Sequence, residues 1–297
     1  MLLEPRLVKL TTRTGIEIRR TLPNAKKRTI GAWCFVDHFG PTLERESMVV
    51  AAHPHTGLQT ATWLFSGSVE HRDSIGTVQA INPGQLNLMT AGLGISHSEL
   101  SSETANDLHA VQLWIALPDS VRNMKPNFQH VEQVPSFEVA QLRVKLFAGK
   151  LLGHESQATI YSELIGAELQ LAAGARGRLP MDSAFEHGVL VVQGAAKVYD
   201  ELVELGNMAY LPKGPTELVV ESVGDEPLVV IFLGGEPFEE EIVMWWNFIA
   251  RSHDEIVAAR EQWNQRDIRF GEFEDRIGGW IPAPELPNIT LRSRKDS

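Results

Sequence analysis

Cysteine is nearly missing from this chain: Cys34 is the only one in 297 residues. No intramolecular disulfide can form, which excludes a cross-linked scaffold and is compatible with a reducing compartment. No basic cluster lies near Cys34 in sequence, which argues against a reactive thiolate. Positive charge is the second deficit. Lys and Arg number 27 against 38 Asp and Glu, for a formal net charge of -11. That balance removes the basic face needed for direct nucleic-acid binding, and the acidic surface serves mainly solubility. Long apolar runs are lacking too. No stretch approaches a membrane span, and the opening MLLEPRLVKLTTRTG is not apolar enough for a secretion signal, so the cytoplasm is the expected location and no membrane contact is expected. There is no Walker-type glycine loop and no Gly-x-Ser-x-Gly elbow. Gly92-Leu-Gly94 lacks the strand–helix context of a dinucleotide fingerprint.

What is present is a series of short runs rich in Val, Leu, Ile, Thr and aromatics, punctuated by 24 glycines and 16 prolines. Thr60–Phe65, Leu113–Leu117, Val189–Val192, Leu218–Val223 and Leu228–Leu233 read as strands by length and composition. The chain length suits two domains of about 120–140 residues. Residues 53–84 and 187–214 share an order of strand, glycine turn, strands and proline-containing turn, which points to an internal duplication. The expectation is an all-β protein of two antiparallel barrels, residues 1–135 and 136–297, joined near residues 135–160. One helix is expected. Ser252 and Glu255 form a capping-box pattern, and Ile256, Ala259 and Trp263 recur at helical spacing, so 252–265 reads as an amphipathic helix packed on the β-core. Trp245 and Trp246 are expected to anchor it, Glu239–Glu241 to form a solvated face, and the residues after Leu291 a solvated tail.

Chemistry concentrates in Ala52-His53-Pro54-His55 and, about forty residues on, Ile95-Ser96-His97-Ser98-Glu99. Strand side chains alternate faces, so residues two apart point the same way. His53 with His55, and His97 with Glu99, can therefore converge inside a barrel. Three imidazoles and a carboxylate suit Fe(II), Mn, Ni, Cu or Zn, and a six-coordinate ion would keep two positions open. Around Pro180–Gly194 only Glu186-His187 offers donors, and adjacent residues face opposite sides of a strand, so no second metal is expected there. His38 beside Asp37 reads as a structural hydrogen-bond pair or domain contact. His71 and Asp73 read as turn-holding residues, with a lesser role behind a metal-bound imidazole.

Several motifs resemble the pirin family in order: Ala32-Trp-Cys-Phe-Val-Asp-His-Phe-Gly40, His53-Pro-His-Thr-Gly57-Leu-Gln-Thr60, His71-Arg-Asp-Ser74, Ile81-Asn-Pro-Gly84, Met89-Thr-Ala-Gly92-Leu-Gly-Ile-Ser-His-Ser-Glu99 and Leu233-Gly-Gly-Glu-Pro237. The resemblance covers roughly residues 5–265. It implies a bicupin fold, two jelly-roll lobes with a short C-terminal helix, and one iron bound in the first lobe by His53, His55, His97 and Glu99. Gln59 stands where other cupins carry a ligand glutamate, which removes an acid from behind the site, and Leu93 stands where relatives carry arginine.

Two functions follow from the resemblance. The first is a metal-dependent dioxygenase that activates a flavonol such as quercetin toward dioxygen, with Glu99 as ligand and transient base. The second is a non-enzymatic iron-binding redox or metal sensor that binds a partner protein. A cupin isomerase or small-molecule binder is a weaker third.

Overall fold

A computed structural model describes residues 1–9, 17–41, 48–101, 108–273 and 278–293. Each of the five apolar runs named above falls in a strand: Leu58–Ser66, His109–Ala116, Glu186–Gln193, Glu217–Val223 and Leu228–Gly235, with only Leu117 left outside. The strands build two lobes, each a large sheet facing a four-stranded one. In the first lobe the large sheet runs in the order Asn127–Val131, Leu86–Thr90, Leu58–Ser66, His109–Ala116, Trp33–Phe39, Glu17–Leu22, Arg6–Lys9. It faces Val49–His55, Ile95–Ser101, Val69–Asp73 and Val78–Ile81 across a core that includes Ile18, Phe39, Leu64, Val50, Val69 and Ile81.

The second lobe repeats this order. Its large sheet runs Leu2–Leu3, Met208–Leu211, Glu186–Gln193, Leu228–Gly235, Leu164–Leu171, Leu142–Leu151, Ser136–Val139, and its small one Arg176–Pro180, Glu217–Val223, Ala195–Val198, Glu201–Val203. The duplication is therefore real in topology, and the turns at Gly67 and Gly194 end matching strands as the sequence pattern has them, but the flanking histidine and proline turn do not correspond. Glu186–Gln193 takes the place of Leu58–Ser66, and the counterpart of the His53–His55 strand is Arg176–Pro180. A shared turn pattern of Gly and Pro cannot separate neighbouring hairpins of one repeat.

Alternation along the large-sheet strands sends one set of side chains into each barrel and the other set against the opposite lobe. Trp33, Val36, Trp63 and Leu113 meet Phe147, Leu190, Ile231 and Leu233 in one buried cluster between the lobes. Phe147 packs edge-on to Trp33 at 6.4 Å and against Trp63 at 5.0 Å. Two buried carboxylates cross this seam with their partners in place. Glu168 accepts from Trp63 Nε1 at 2.7 Å and pairs with Lys145 at 3.1 Å. Glu186 accepts from Gly31 N at 2.8 Å and Tyr210 Oη at 2.9 Å and pairs with Lys27 at 2.9 Å. Gly31, at φ +51°, lies so near the other lobe that a Cβ would sit 2.8 Å from Gly235 Cα, so only glycine fits this approach.

Both chain ends cross between lobes. Leu2–Leu3 pairs with Met208–Ala209 of the second lobe. Residues 243–293 fold back on the first. Val243–Trp245 and Phe248–Ala250 form a hairpin, and the helix His253–Asn264 buries Ile256, Ala259 and Trp263 as its spacing predicts. Phe248 bridges to Thr56, Trp280 bridges to Ala52, and Ser96 Oγ donates to Phe270 O at 2.9 Å. The capping box forms only by half. Ser252 Oγ accepts from Glu255 N at 3.3 Å, but the Glu255 carboxylate takes Arg251 N at 3.1 Å and Arg122 Nη1 at 2.7 Å. A charged guanidinium outcompetes a backbone amide for that carboxylate. Trp245 and Trp246 pack in the helix's cluster, as expected. Glu239 and Glu241 are exposed, as expected of a solvated face, and the partly exposed Glu240 between them also accepts from Asp119 N at 2.9 Å and pairs with Arg251. Leu291 is also held, donating its N–H to His253 Nδ1 at 3.1 Å, whereas the expected tail from residue 294 onward lies outside the described residues. No helix among the described residues is long and apolar enough to cross a membrane.

Because Phe147 is fully buried where the lobes meet, Phe147→Ala should lower unfolding stability by about 3–5 kcal/mol. Urea denaturation checks this; a change under about 1 kcal/mol would show that the seam is not tightly packed.

Candidate metal centre

Strand pairing builds the site. In the four-stranded sheet His97 lies opposite His53 and Ile95 opposite His55, and an irregularity between His97 and Glu99 sets Glu99 opposite Val50. On its other side the same strand places His97 opposite Asp73 and Glu99 opposite His71. Directly opposed residues share a face, so His53, His55, His97, Glu99, His71 and Asp73 all line the inner face of the barrel. Val49–His55 is the edge strand of this sheet, which is why Pro54, with no N–H to give, is tolerated between the two histidines.

The ligand atoms of His53, His55 and His97 lie within 4.8 Å of one another, and those of His71, His97 and Glu99 form a second such group sharing His97. Ring centroids are 5.1 Å apart for His53 and His55, 4.3 Å for His53 and His97, and 5.0 Å for His55 and His97. All four residues expected as ligands are thus on one buried surface, and His71 joins them.

Hydrogen bonds around the rings fix which nitrogens keep a lone pair. Asp73 is acceptor only, so His71 Nε2–H donates to its Oδ2 at 3.0 Å. His71 Nδ1 is then an acceptor for His97 Nδ1–H at 3.3 Å, and the His97 lone pair falls on Nε2, a buried atom without a hydrogen-bond partner. His53 Nδ1–H donates to Ala51 O at 2.9 Å, which puts the lone pair of the neutral ring on Nε2. His55 makes a backbone hydrogen bond to Asn247, and its Nδ1 is buried without a partner. Acceptors behind metal-bound imidazoles orient them in this way. Asp73 also holds the following turn, its Oδ1 accepting from Ile75 N at 3.1 Å and Thr77 N at 3.0 Å. The turn-holding role expected for the His71–Asp73 pair is met, and the pair stands behind His97 as well.

Burial sets the charge state. His55 and His97 are held well below the ordinary histidine range, first by loss of solvent and then by the neighbouring imidazoles. Glu99 is pushed upward by burial, opposed by its hydrogen bond from Gln112. Gln112 Nε2 reaches Glu99 Oε1 at 3.4 Å, and Thr62 Oγ1 donates to Gln112 Oε1 at 2.7 Å, which turns the amide so that its N–H faces the carboxylate. Neither residue carried a signal in the sequence, because their meeting depends on pairing between strands fifty residues apart.

A cavity of about 240 Å³ opens beside these groups, lined among others by His53, His55, Glu99, Trp114, Phe35 and Trp246. Phe35 and Trp114 stack at 3.9 Å with 11° between planes, and His55 sits edge-on to Trp114 at 5.1 Å.

Other sequence expectations resolve differently. Gln59 removes nothing from behind the site: it lies on the opposite face of its strand, donating to Thr90 Oγ1 at 2.9 Å and Thr159 O at 3.0 Å. Asp37 and His38 do not bond each other, since adjacent strand residues diverge. Asp37 takes the Arg20 guanidinium at 2.7 Å through both oxygens, and His38 Nε2 meets His109 Nε2 at 2.9 Å. Cys34 is buried and its thiol pushed up to about 12 by burial, in keeping with an unreactive residue. In the second lobe, Leu179, Leu218 and Val220 fill the interior from the two strands that match the histidine-bearing pair. His187 is buried against Phe232 with neither ring nitrogen partnered, so it is not the satisfied histidine expected. Among the described residues every group able to hold a metal lies in the first lobe.

Buried lone pairs on His55 and His97 with no protein partner, a third imidazole beside them and a carboxylate on the same face fit a divalent ion by donor chemistry. Fold and site together define a two-lobed cupin with a histidine-rich centre in its first lobe. Residues 15–115 match the family described as Pirin, and residues 166–271 match the Pirin C-terminal cupin domain. The chain is 42% identical over 275 residues to "Putative quercetin 2,3-dioxygenase PA1205" of Pseudomonas aeruginosa, covering 92% of this chain and 87% of that one. It is 35% identical to a "Pirin-like protein" of Caulobacter vibrioides over 91% of this chain and 95% of that one. The crystal structure of a quercetin 2,3-dioxygenase from Acinetobacter baumannii superposes with a TM-score of 0.94 at 40% identity, covering 99% and 98% of the two chains. The chain belongs to the pirin family.

Two outcomes follow. His71→Ala, which removes the acceptor behind His97, should weaken divalent-metal affinity about 10- to 100-fold; competition with a chromogenic chelator measures it, and unchanged affinity would contradict the orienting role. Metal-free protein should also lose stability in acid. His38 and His187 are held by burial at about 3 and about 4, below the unfolded value near ~6.5. The unfolded chain therefore binds protons first, and the contribution, full above about pH 6.5, declines toward about 3 for His38 and about 4 for His187, by up to about 1.4 kcal/mol per pH unit for each histidine. Urea midpoints between pH 7.5 and 5 check this, and a flat profile would contradict it.

Proposed function

We propose that the chain is a metal-dependent dioxygenase of flavonols such as quercetin, with one iron(II) ion held by His53, His55, His97 and Glu99 and a cytoplasmic location. The observation that carries this reading is the convergence of three imidazoles with oriented lone pairs and a buried carboxylate on the wall of an aromatic-lined cavity. Manganese, nickel, copper and zinc suit the same donors, and iron is chosen on the family resemblance. The names of the relatives in Pseudomonas aeruginosa and Acinetobacter baumannii support the substrate class.

When bound, the ion supplies a Lewis acid that lowers the pKa of a coordinated hydroxyl, and positions at which small ligands exchange. The rest belongs to this chain's residues. The parallel rings of Phe35 and Trp114 offer a flat wall for a planar ring system. Trp246 and Asn247, at the tip of the C-terminal hairpin, close the cavity beside His55 and limit water. Glu99 accepts the flavonol hydroxyl proton. In the metal-free protein burial raises its proton affinity above that of an ordinary carboxylate, and Gln112, held by Thr62, keeps the acceptor oxygen in place.

Glu99→Gln should lower quercetin-dependent oxygen consumption by at least about 100-fold while shifting Tm little. Retention of normal turnover would remove Glu99 from the chemistry. The iron-loaded protein should consume quercetin in air with release of carbon monoxide. Failure across iron, manganese, nickel, copper and zinc, with a protein partner recovered by pull-down, would instead favour a metal-binding sensor.

A further inference from the structure

The cavity has a second polar element that the proposed chemistry does not use. Across the large sheet of the first lobe, Arg20, Asp37, Gln112, Thr62, Asn87 and His130 are successive cross-strand partners and form one continuous row. Their apolar neighbours in sequence, Val36, Val111, Ala61, Leu86 and Leu88, point the other way into the core between the lobes, so the row faces the barrel interior. Thr62 and Gln112 serve Glu99, and Asn87 Oδ1 is bonded by His130 Nδ1 at 2.7 Å. Arg20 and Asp37 hydrogen-bond each other, and both line the cavity that holds His53, His55 and Glu99.

Their arrangement is that of a recognition site. Asp37 is 4% exposed, and the Arg20 Nε and Nη2 atoms each donate to one of its oxygens at 2.7 Å. A carboxylate has about four lone-pair sites, so this fork leaves each oxygen able to accept once more, toward the cavity. Arg20 lies over the Phe35 ring at 4.4 Å, and Phe35 stacks on Trp114, which meets His55. One wall of the cavity thus runs from the metal-site imidazole across two stacked rings to a fixed carboxylate. Cα atoms of opposed antiparallel residues lie about 4.5–5.5 Å apart, so Asp37 is one strand away from Gln112, which contacts Glu99. A buried ion pair is often replaceable by apolar side chains without loss of stability, so stability alone does not account for one on the cavity wall.

We propose that Asp37, held by Arg20, is a specificity-determining residue that accepts hydrogen bonds from phenolic hydroxyls on the part of an aromatic ligand distal to the metal. The favoured class is a flat polyphenol with vicinal hydroxyls on its outer ring. This rests on the flavonol reading above for the placement of the ligand's other end, but not on turnover.

The test is equilibrium binding, read by quenching of tryptophan fluorescence in iron-loaded protein under argon and again in metal-free protein. Three flavonols are compared: quercetin, with 3′ and 4′ hydroxyls; galangin, with none on that ring; and the 3′,4′-dimethyl ether of quercetin, which keeps acceptors but has no donors there. Quercetin should bind about tenfold tighter than either analogue, and Asp37→Asn should narrow that preference to about twofold or less. Equal binding of quercetin and galangin, or a dimethyl ether that binds as well as quercetin, would overturn the proposal in the wild-type protein alone, whether or not the variant folds. A preference that survives in folded Asp37→Asn would overturn it too. If quercetin is preferred but never consumed, the dioxygenase reading falls and this site stands; if it is consumed without preference, the reverse holds.

Discussion

Antiparallel pairing of Val49–His55 with Ile95–Ser101 carries the site. Without it His53 and His55 have no reason to meet His97 and Glu99, since the two segments are some forty residues apart. With it, His97 is set directly opposite His53, and strand alternation turns every donor of both pairs to the same side. A slip of one residue in either strand would turn its donors to the other face of the sheet, away from the barrel interior. The register is held by what flanks the site: Val50 and Val69 are buried among Phe39 and Leu64 of the opposite sheet, and Ser96 is tied to Phe270 of the returning C-terminal segment.

The same constraint explains how one architecture serves two purposes. The lobes share strand order, but in the second the matching strands present Leu179, Leu218 and Val220 to the interior. An aliphatic core gains stability from burial, whereas clustered imidazoles lose solvation and repel one another if protonated. The second lobe supports the first through the Trp33–Phe147–Trp63 seam and the carboxylates Glu168 and Glu186 that cross it. The exchange of chain ends strengthens that arrangement. Residues at the C-terminus supply Trp246 and Asn247 to the cavity of the N-terminal lobe, so the site draws on both halves of the chain.

Much of this was legible in the sequence. The β-rich composition, the helix at 253–264 and the pairs His53/His55 and His97/Glu99 are local patterns, and local patterns survive being read one residue at a time. His71 and Asp73 show the limit of that reading. They have the same two-residue spacing as the other pairs, and taking that spacing as a third inward-facing pair would have placed His71 on the site's face. Gln112, Thr62, Arg20 and Asp37 were out of reach for a different reason. Their row is defined by register across the strands of one sheet, and register is a long-range property. The capping box and the expected Asp37–His38 pairing erred in the opposite direction: adjacency suggested partners, but Arg122, Arg20 and His109 offered better ones from elsewhere in the fold.

The most direct measurement is a crystal structure of iron-loaded protein with anomalous data collected on both sides of the iron absorption edge. One peak in the first lobe, within about 2.0–2.2 Å of nitrogens of His53, His55 and His97 and an oxygen of Glu99, with His71 remaining behind His97, is the predicted result. A peak bonded to His71, one that leaves Glu99 uncoordinated, or no peak at all would contradict it.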